Sequence, residues 1–197
     1  DYLENALSTG VTKNGLERAL LNINDLAGIS AVSTIEPGVE EGSSKIVLNV
    51  VEDDLVSGSI TLDNHGNRYT AKQRNTIKID FNNPSKIGDK LSITKTFNAG
   101  EKFDFTQFDY EVPVGQSGFK AFASASRLEF EIGKELKTNP VSLGNADNFE
   151  VGVKYPIQRT NNQSVFLKTS IEKKEIYNET TGVLTNDKTL ENAKICL

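Results

Sequence analysis

The chain has 197 residues, 37% of them apolar and 25% charged, a water-compatible balance that argues against disorder. Its 22 basic and 27 acidic residues give a formal net charge of -5, so no cationic excess exists for phosphate, and binding to DNA or RNA is excluded. No uninterrupted apolar run exceeds about three residues, as in Val165-Phe166-Leu167, against the roughly 20 that a membrane-spanning helix needs. A membrane barrel is untouched by this, because its strands need only about 10 residues of alternating polarity.

The first residues, Asp1-Tyr2-Leu3-Glu4-Asn5, carry no basic or apolar leader, so a secretory signal is absent or was removed before this segment. With no starting Met and a last stretch Ile195-Cys196-Leu197 without a polar tail, we expect a piece of a longer protein. The single cysteine, Cys196, forms neither an internal disulfide nor a multi-Cys metal site.

From Thr12 to Gly28 the apolar residues Leu16, Ala19, Leu20, Ile23 and Ala27 recur at three- and four-residue steps, which predicts a helix. Asn14 followed by Glu17 resembles a capping box, and Gly28 is a natural stop. Ile29 to Ile35, the turn Glu36-Pro37-Gly38, a Gly/Ser-rich link at Gly42 to Ser44, and Lys45 to Val51 read as a hairpin. Residues 1–53 are thus predicted to form a small α+β unit, and residues 55–197 a second domain.

From Leu55 onward the period is two. Ile77, Ile79 and Phe81 alternate with Thr76, Lys78 and Asp80, and Leu91, Ile93 and Phe97 with Ser92, Thr94 and Thr96. The alternation returns in Phe108-Tyr110-Val112-Val114, in Phe122 and Leu128-Phe130-Ile132, in Phe149 to Ile157, and in Val165 to Ile171. With Gly58 to Asn64 this predicts about seven strands and no helix, a mainly β fold. Compact turns at Asn82 to Gly88, Val114 to Gly118 and Gln158 to Gln163 alternate with links at Asn98 to Lys102, Gly133 to Asp147 and Tyr177 to Leu190. Short turns on one rim and longer loops on the other suit an antiparallel up-and-down transmembrane barrel. The non-apolar side is predicted to carry Lys78, Asp80, Asp109, Glu111, Arg127, Glu129, Glu131, Glu150 and Lys154. Tyr110, Phe130, Phe149 and Tyr155 fall where an interfacial girdle would stand. Pattern alone leaves a soluble β-sandwich or meander open, since a solvated sheet face accepts the same charges.

Three stretches narrow the choice: Leu16 to Gly28, Ile35-Glu36-Pro37-Gly38, and Leu62-Asp63-Asn64-His65-Gly66-Asn67-Arg68-Tyr69-Thr70. Together they resemble the junction of POTRA domain and barrel in two-partner secretion transporters, the hemolysin-activator type of the Omp85 superfamily. Phe81-Asn82-Asn83-Pro84 with Gly88 to Ser92, Tyr110 to Gly115, and Lys154 to Arg159 resemble that family's successive periplasmic turns, in the same order from about residue 15 to 178. The resemblance implies that residues 1–53 are the later part of a POTRA domain in the periplasm, beginning inside or just after its first helix. Residues 55–197 would be the opening strands of a larger outer-membrane barrel. It further implies a monomeric transporter that carries an unfolded exoprotein to the cell surface, with the POTRA domain receiving the secretion signal, outer-membrane lipid around the barrel and no cofactor. The VRGY-type motif of the family's lumen loop does not occur in this chain.

An extended exoprotein needs backbone partners, which an unpaired sheet edge supplies by strand addition. If the helix covers one sheet face, Ile29 to Ile35 is the exposed edge, because family topology puts Lys45 to Val51 in the middle of the sheet. Ile29, Ala31, Ser33 and Ile35 are therefore the candidate exoprotein-binding residues. No catalytic or metal residue is assigned. His65 lies alone in the turn Asn64-His65-Gly66-Asn67, Gly133-Lys134 lacks the remainder of a phosphate loop, and Glu129 with Glu131 reads as a wet strand face. Three classes remain: the secretion transporter, the insertase branch of the same superfamily, and a soluble β-rich adhesin or binding module.

Overall fold

The computed structural model describes residues 12–39, 43–100, 102–180 and 182–197. Any helix running through residues 1–11, and the middle of the link at Gly42, lie outside the described residues. Helix α1 spans Lys13–Asn24, shorter at both ends than the periodicity predicts. Its N-cap is Thr12, whose hydroxyl accepts from the Gly15 amide at 3.1 Å. The Asn14–Glu17 box is therefore not used; Thr12, two residues earlier, satisfies a free first-turn donor. Asp25 ends the helix, and Gly28 at φ +70° turns the chain into the sheet.

Strands β1 (Ile29–Pro37) and β2 (Ser44–Glu52) form an antiparallel pair registered from Ile29 opposite Glu52 to Pro37 opposite Ser44. A second sheet holds β3 (Val56–Asp63), β4 (Arg74–Asn82), β5 (Lys90–Phe97), β6 (Phe103–Pro113), β7 (Lys120–Glu131), β8 (Leu143–Arg159), β9 (Ser164–Thr180) and β10 (Val183–Cys196), in chain order and antiparallel throughout. It has eight strands rather than seven. The additional strand, β10, occupies what the sequence suggests is the loop Tyr177 to Leu190. Its run Leu184-Thr185-Asn186-Asp187-Lys188-Thr189 is too polar to show an apolar alternation, yet it pairs along β9 from Val183 to Cys196. Likewise β8 begins at Leu143, inside the predicted loop Gly133 to Asp147, which keeps only a one-turn helix at Lys134–Leu136.

Register assigns each side chain to a face. One row runs Ser57, Asp80, Ser92, Asp109, Ser124, Glu150, Glu172 and Asn192, all polar. The row beside it on the opposite face runs Val56, Phe81, Leu91, Tyr110, Ala123, Val151, Ile171 and Ala193. The polar face is the sheltered one. Glu150 and Glu172 show only 15% and 14% of their side chains, whereas Ile60 and Ile171 on the apolar face are 74% and 64% exposed. A water-soluble sheet does the reverse; this arrangement suits a wet lumen and a hydrocarbon surround.

Two readings of the faces need correction. Arg127, Glu129 and Glu131 lie on the apolar side, in register with Thr106, Asp104 and Leu143 respectively, and not with the lumen charges. Phe122, Leu128 and Phe130 face the lumen, so Phe130 is not part of an outer girdle. The cause is β7 itself, where Ala121, Ala123 and Ala125 supply the outward apolar positions. Small residues there made the larger aromatics appear to define the buried face.

The apolar band drifts across the sheet. Its last outward position is Leu62 on β3 and Ile171 on β9, and Ile171 is in register with Val56. That is a drift of about six residues over six strand steps. At roughly 3.3 Å per residue and 4.8 Å per strand it corresponds to a tilt of about 35° between strand and barrel axis, the value closure demands. Above the band, the outward face of β5 to β9 turns ionic, with Arg127 gripping Asp147 at 2.7 and 2.9 Å and Lys173 pairing Glu175 at 2.7 Å.

A cation on the lipid side of a barrel costs about 2–4 kcal/mol near the bilayer midplane. Ile79→Lys, in the middle of the band, is therefore expected to lower the folded, heat-modifiable fraction in the full-length protein. Ser126→Lys, on the lumen face opposite Gln107 and Asn148, is expected to leave it unchanged. Equal loss from both would overturn the assignment of faces.

Candidate functional site

Three features share the rim formed by the turns Asn83–Asp89, Val114–Phe119 and Thr160–Gln163: the free edge of β1, the seat of α1, and the lumen charges nearest that rim.

Asn24, the last helical residue, binds both backbone groups of Ala31, its Nδ2 donating to the carbonyl at 2.9 Å and its Oδ1 accepting from the amide at 2.6 Å. Backbone direction alternates along a strand, so the odd positions Ile29, Ala31, Ser33 and Ile35 point away from β2 while the even ones form the ladder. The backbone bonds at Gly28 with Asp53 and at Gly38 with Ser43 agree with this parity. The structure thus places all four candidate residues on one edge, and β1 has no second strand among the described residues. They are not equivalent. Ala31 is buried and its backbone is occupied by Asn24, whereas Ile35 is 64% exposed. Among the described residues the open part of the edge is Ser33 to Pro37. No sequence pattern signals this clamp, because Asn24 reads as an ordinary helix-end residue.

The helix is seated on the barrel turns by polar contacts. Arg159 grips Asp25 with two bonds of 3.0 and 2.8 Å, and Arg18 donates to the Pro156 carbonyl at 2.9 Å. Lys120 donates to the Asp25 carbonyl at 2.7 Å and pairs with Glu111 at 2.6 Å, while the Asn161 amide donates to Glu17. Gly118 has φ +83°, and a Cβ there would stand 2.8 Å from the Asn22 amide oxygen and from Pro156, so only glycine admits the helix at this turn. The neighbouring turn is held by Asp89, which is wholly buried and accepts from the Tyr110 hydroxyl at 2.9 Å and the Ser85 amide at 3.1 Å. Burial works to raise the Asp89 pKa, but those bonds outweigh it and keep the carboxyl below its ordinary value.

The lumen charges are tiered. Nearest the rim, Lys120, Lys154 and Lys168 stand directly opposite one another on three adjacent strands, and Lys90 and Lys194 lie in the adjoining row. Above them come the carboxylates Asp80, Asp109, Glu150 and Glu172. Salt bridges join the tiers: Lys90 to Asp80 at 3.6 Å, Lys168 to Glu150 at 3.4 Å and Lys194 to Glu172 at 2.9 Å. Two lysine ammonium groups lie over rings, Lys168 over Phe122 at 4.3 Å and Lys154 over Phe166 at 4.2 Å. His65 is an exposed turn residue whose amide donates to Asp63, and Cys196 is exposed on β10.

A tilted antiparallel sheet with a sheltered ionic face and an exposed apolar face, against which a small α/β unit is seated, defines part of an outer-membrane β-barrel protein. The chain belongs to the haemolysin secretion/activation protein family ShlB/FhaC/HecB, which matches residues 42–195, and this is a family of two-partner secretion transporters. The heme/hemopexin transporter protein HuxB of Haemophilus influenzae strain 86-028NP is 24% identical over 178 residues, covering 90% of this chain and 31% of HuxB. HuxB of strain Rd is 22% identical over the same length. The chain thus spans about a third of the length of these relatives. Among solved structures, CdiB from Escherichia coli superposes with a TM-score of 0.73 at 20% identity, covering 91% of this chain and 34% of CdiB. CdiB from Acinetobacter baumannii gives 0.71 at 17% identity.

A partly buried bidentate Arg–carboxylate pair contributes about 1–3 kcal/mol. Asp25→Ala and Arg159→Ala should each speed limited proteolysis between Asp53 and Leu55 severalfold in the detergent-solubilised full-length protein. The double variant should be no faster than either single one, and additive effects would show that the pair does not hold the helix.

Proposed function

We propose that this protein is the outer-membrane transporter of a two-partner secretion pair. In this reading the unit carrying α1, β1 and β2 is the end of a periplasmic POTRA domain covering residues 1–53, and residues 55–197 begin the conduit. The observation that carries it is the stretch of the β1 edge from Ser33 to Pro37, unoccupied among the described residues and belonging to a strand fixed by the helix seated on the rim of a hydrated lumen. An unfolded exoprotein arriving at that edge gains backbone partners at once, and the adjacent lumen offers it water and paired charges instead of an apolar wall to adhere to. Transport then needs no cofactor and no catalytic group. Outer-membrane lipid surrounds the apolar band, and the transporter acts as a monomer. HuxB bears the name of a heme/hemopexin transporter; the cargo of the present protein is a polypeptide recognised by main-chain pairing.

Proline removes one backbone donor, and its effect depends on which way that donor points. Ser33→Pro removes an outward donor and should reduce exoprotein release severalfold while barrel abundance stays normal. Ser33→Ala should do little. Thr34→Pro removes a donor directed at β2 and should impair assembly itself. Ala31→Pro is a poor probe, since it breaks the Asn24 clamp. Normal release by a stably assembled Ser33→Pro protein would move docking away from this edge.

The rims are tested separately with single cysteines in a protein whose Cys196 is replaced. Cysteines at Glu135 or Lys137, exposed on the far-rim loop, should react with an impermeant reagent on whole cells. Cysteines at Ser85, Ser117 or Asn161 should not. Ser142 is buried and Thr181 lies outside the described residues, so neither suits this test. Labelling of the second set from outside would invert the topology.

A further inference from the structure

Like charges directly opposite on neighbouring strands are destabilising, yet Lys120, Lys154 and Lys168 stand side by side across β7, β8 and β9 at one level of the lumen wall. Lys120 is offset by Glu111 and Lys168 by Glu150. Among the described residues Lys154 pairs with no carboxylate, and its ammonium lies against the Phe166 ring. Arg159 stands over the same ring at 5.8 Å, and Lys168 lies over Phe122 at 4.3 Å. The wall at the helix-bearing rim therefore holds a strip of cations interleaved with aromatic rings. Its head groups are positioned by ring contacts and by the seated helix rather than left free to fold back.

We infer that this lysine tier is a binding site for an acidic stretch of extended polypeptide, with Lys154 its central residue. Three facts select that ligand. The strip is cationic on balance at the level of Lys154, and in the next tier Asp80, Glu150 and Glu172 are already paired with Lys90, Lys168 and Lys194, while Asp109 is held by Gln107 and Ser124. Adjacent lysines are separated by the strand spacing of roughly 4.8 Å, and successive same-side carboxylates of an extended peptide by about 6.8 Å, so a peptide crossing the strands obliquely brings one carboxylate to each lysine pair. Phe122 and Phe166 line the strip and give the stems of acidic side chains an apolar seat. The carboxylate tier above, holding Asp80, Glu150 and Glu172, repels the same segment. The acidic stretch is therefore held at the rim and not drawn through the lumen. The inference rests on the transport reading for its purpose, though its chemistry stands apart from it.

The probe is a fluorescein-labelled hexaglutamate peptide, its binding to the full-length protein in neutral detergent followed by anisotropy. Saturable, salt-sensitive binding is expected, weakened about fivefold or more by Lys154→Gln and restored by Lys154→Arg. Lys78→Gln, in the tier beyond the carboxylates, should leave it unchanged. Heat-modifiable migration confirms that each variant is folded. Comparable binding of hexalysine, undiminished binding by folded Lys154→Gln, or equal weakening by Lys78→Gln would each overturn the site. Equal competition by inorganic polyphosphate and hexaglutamate at matched charge would show a general anion strip and would also overturn the assignment to polypeptide. Exoprotein release from cells is measured in parallel. Absence of hexaglutamate binding by the unaltered protein, with normal release, removes only the site, whereas intact binding in a protein that releases no exoprotein removes only the transport reading.

Discussion

The register of the eight-stranded sheet is the constraint on which the other features depend. Successive side chains of a strand point to opposite faces, so a shift of one residue would move every lumen charge into hydrocarbon and every lipid-facing residue into water. With cations costing about 2–4 kcal/mol each on the lipid side, such a slip is prohibitive over strands as long as β8 and β9. The cross-strand salt bridges reinforce the same alignment, because Lys168 reaches Glu150 and Lys194 reaches Glu172 only when β8, β9 and β10 are correctly paired. The ion pairs therefore matter chiefly for specificity of pairing; in a hydrated lumen their net contribution to stability is small.

The same register positions the seat of the helix. It brings Lys120, Pro156 and Arg159 to one rim, where they meet Asp25 and Arg18 of α1. That seat in turn fixes Asn24, and Asn24 fixes β1 by holding both backbone groups of Ala31. A chain of polar contacts thus runs from the barrel strands to the strand edge. An edge left wholly free is prone to uncontrolled pairing. Here one position is closed by a side chain and, among the described residues, only the part from Ser33 onward is open, which limits both the length and the register of any strand that adds to it.

Much of the architecture was legible in the amino-acid sequence because its causes are local. The three- and four-residue spacing of Leu16, Leu20 and Ile23 requires a helix, and the alternation in β4, β5 and β6 requires strands with unlike faces. Compact turns such as Asn83 to Gly88 mark the seated rim. Legibility failed where the local signal was weak or misleading. Strand β10 carries mostly polar residues, so its identity depends on pairing with β9. In β7 the alanines 121, 123 and 125 face outward while Phe122 and Phe130 face in, which reverses the reading that larger apolar residues mark the lipid side.

The sequence by itself determined the succession of elements as far as β9, the two-faced strands and the kinship with secretion transporters, all of which follow from periodicity and from short runs of neighbouring residues. Only the tertiary structure decided that Ala31 is closed by Asn24, that Arg127 and Glu131 leave the lumen, and that Lys120, Lys154 and Lys168 stand abreast. Each of these joins residues brought together by strand pairing or by the seating of a helix end. Their distance along the chain is unrelated to their distance in space, so no linear pattern of residue types encodes them.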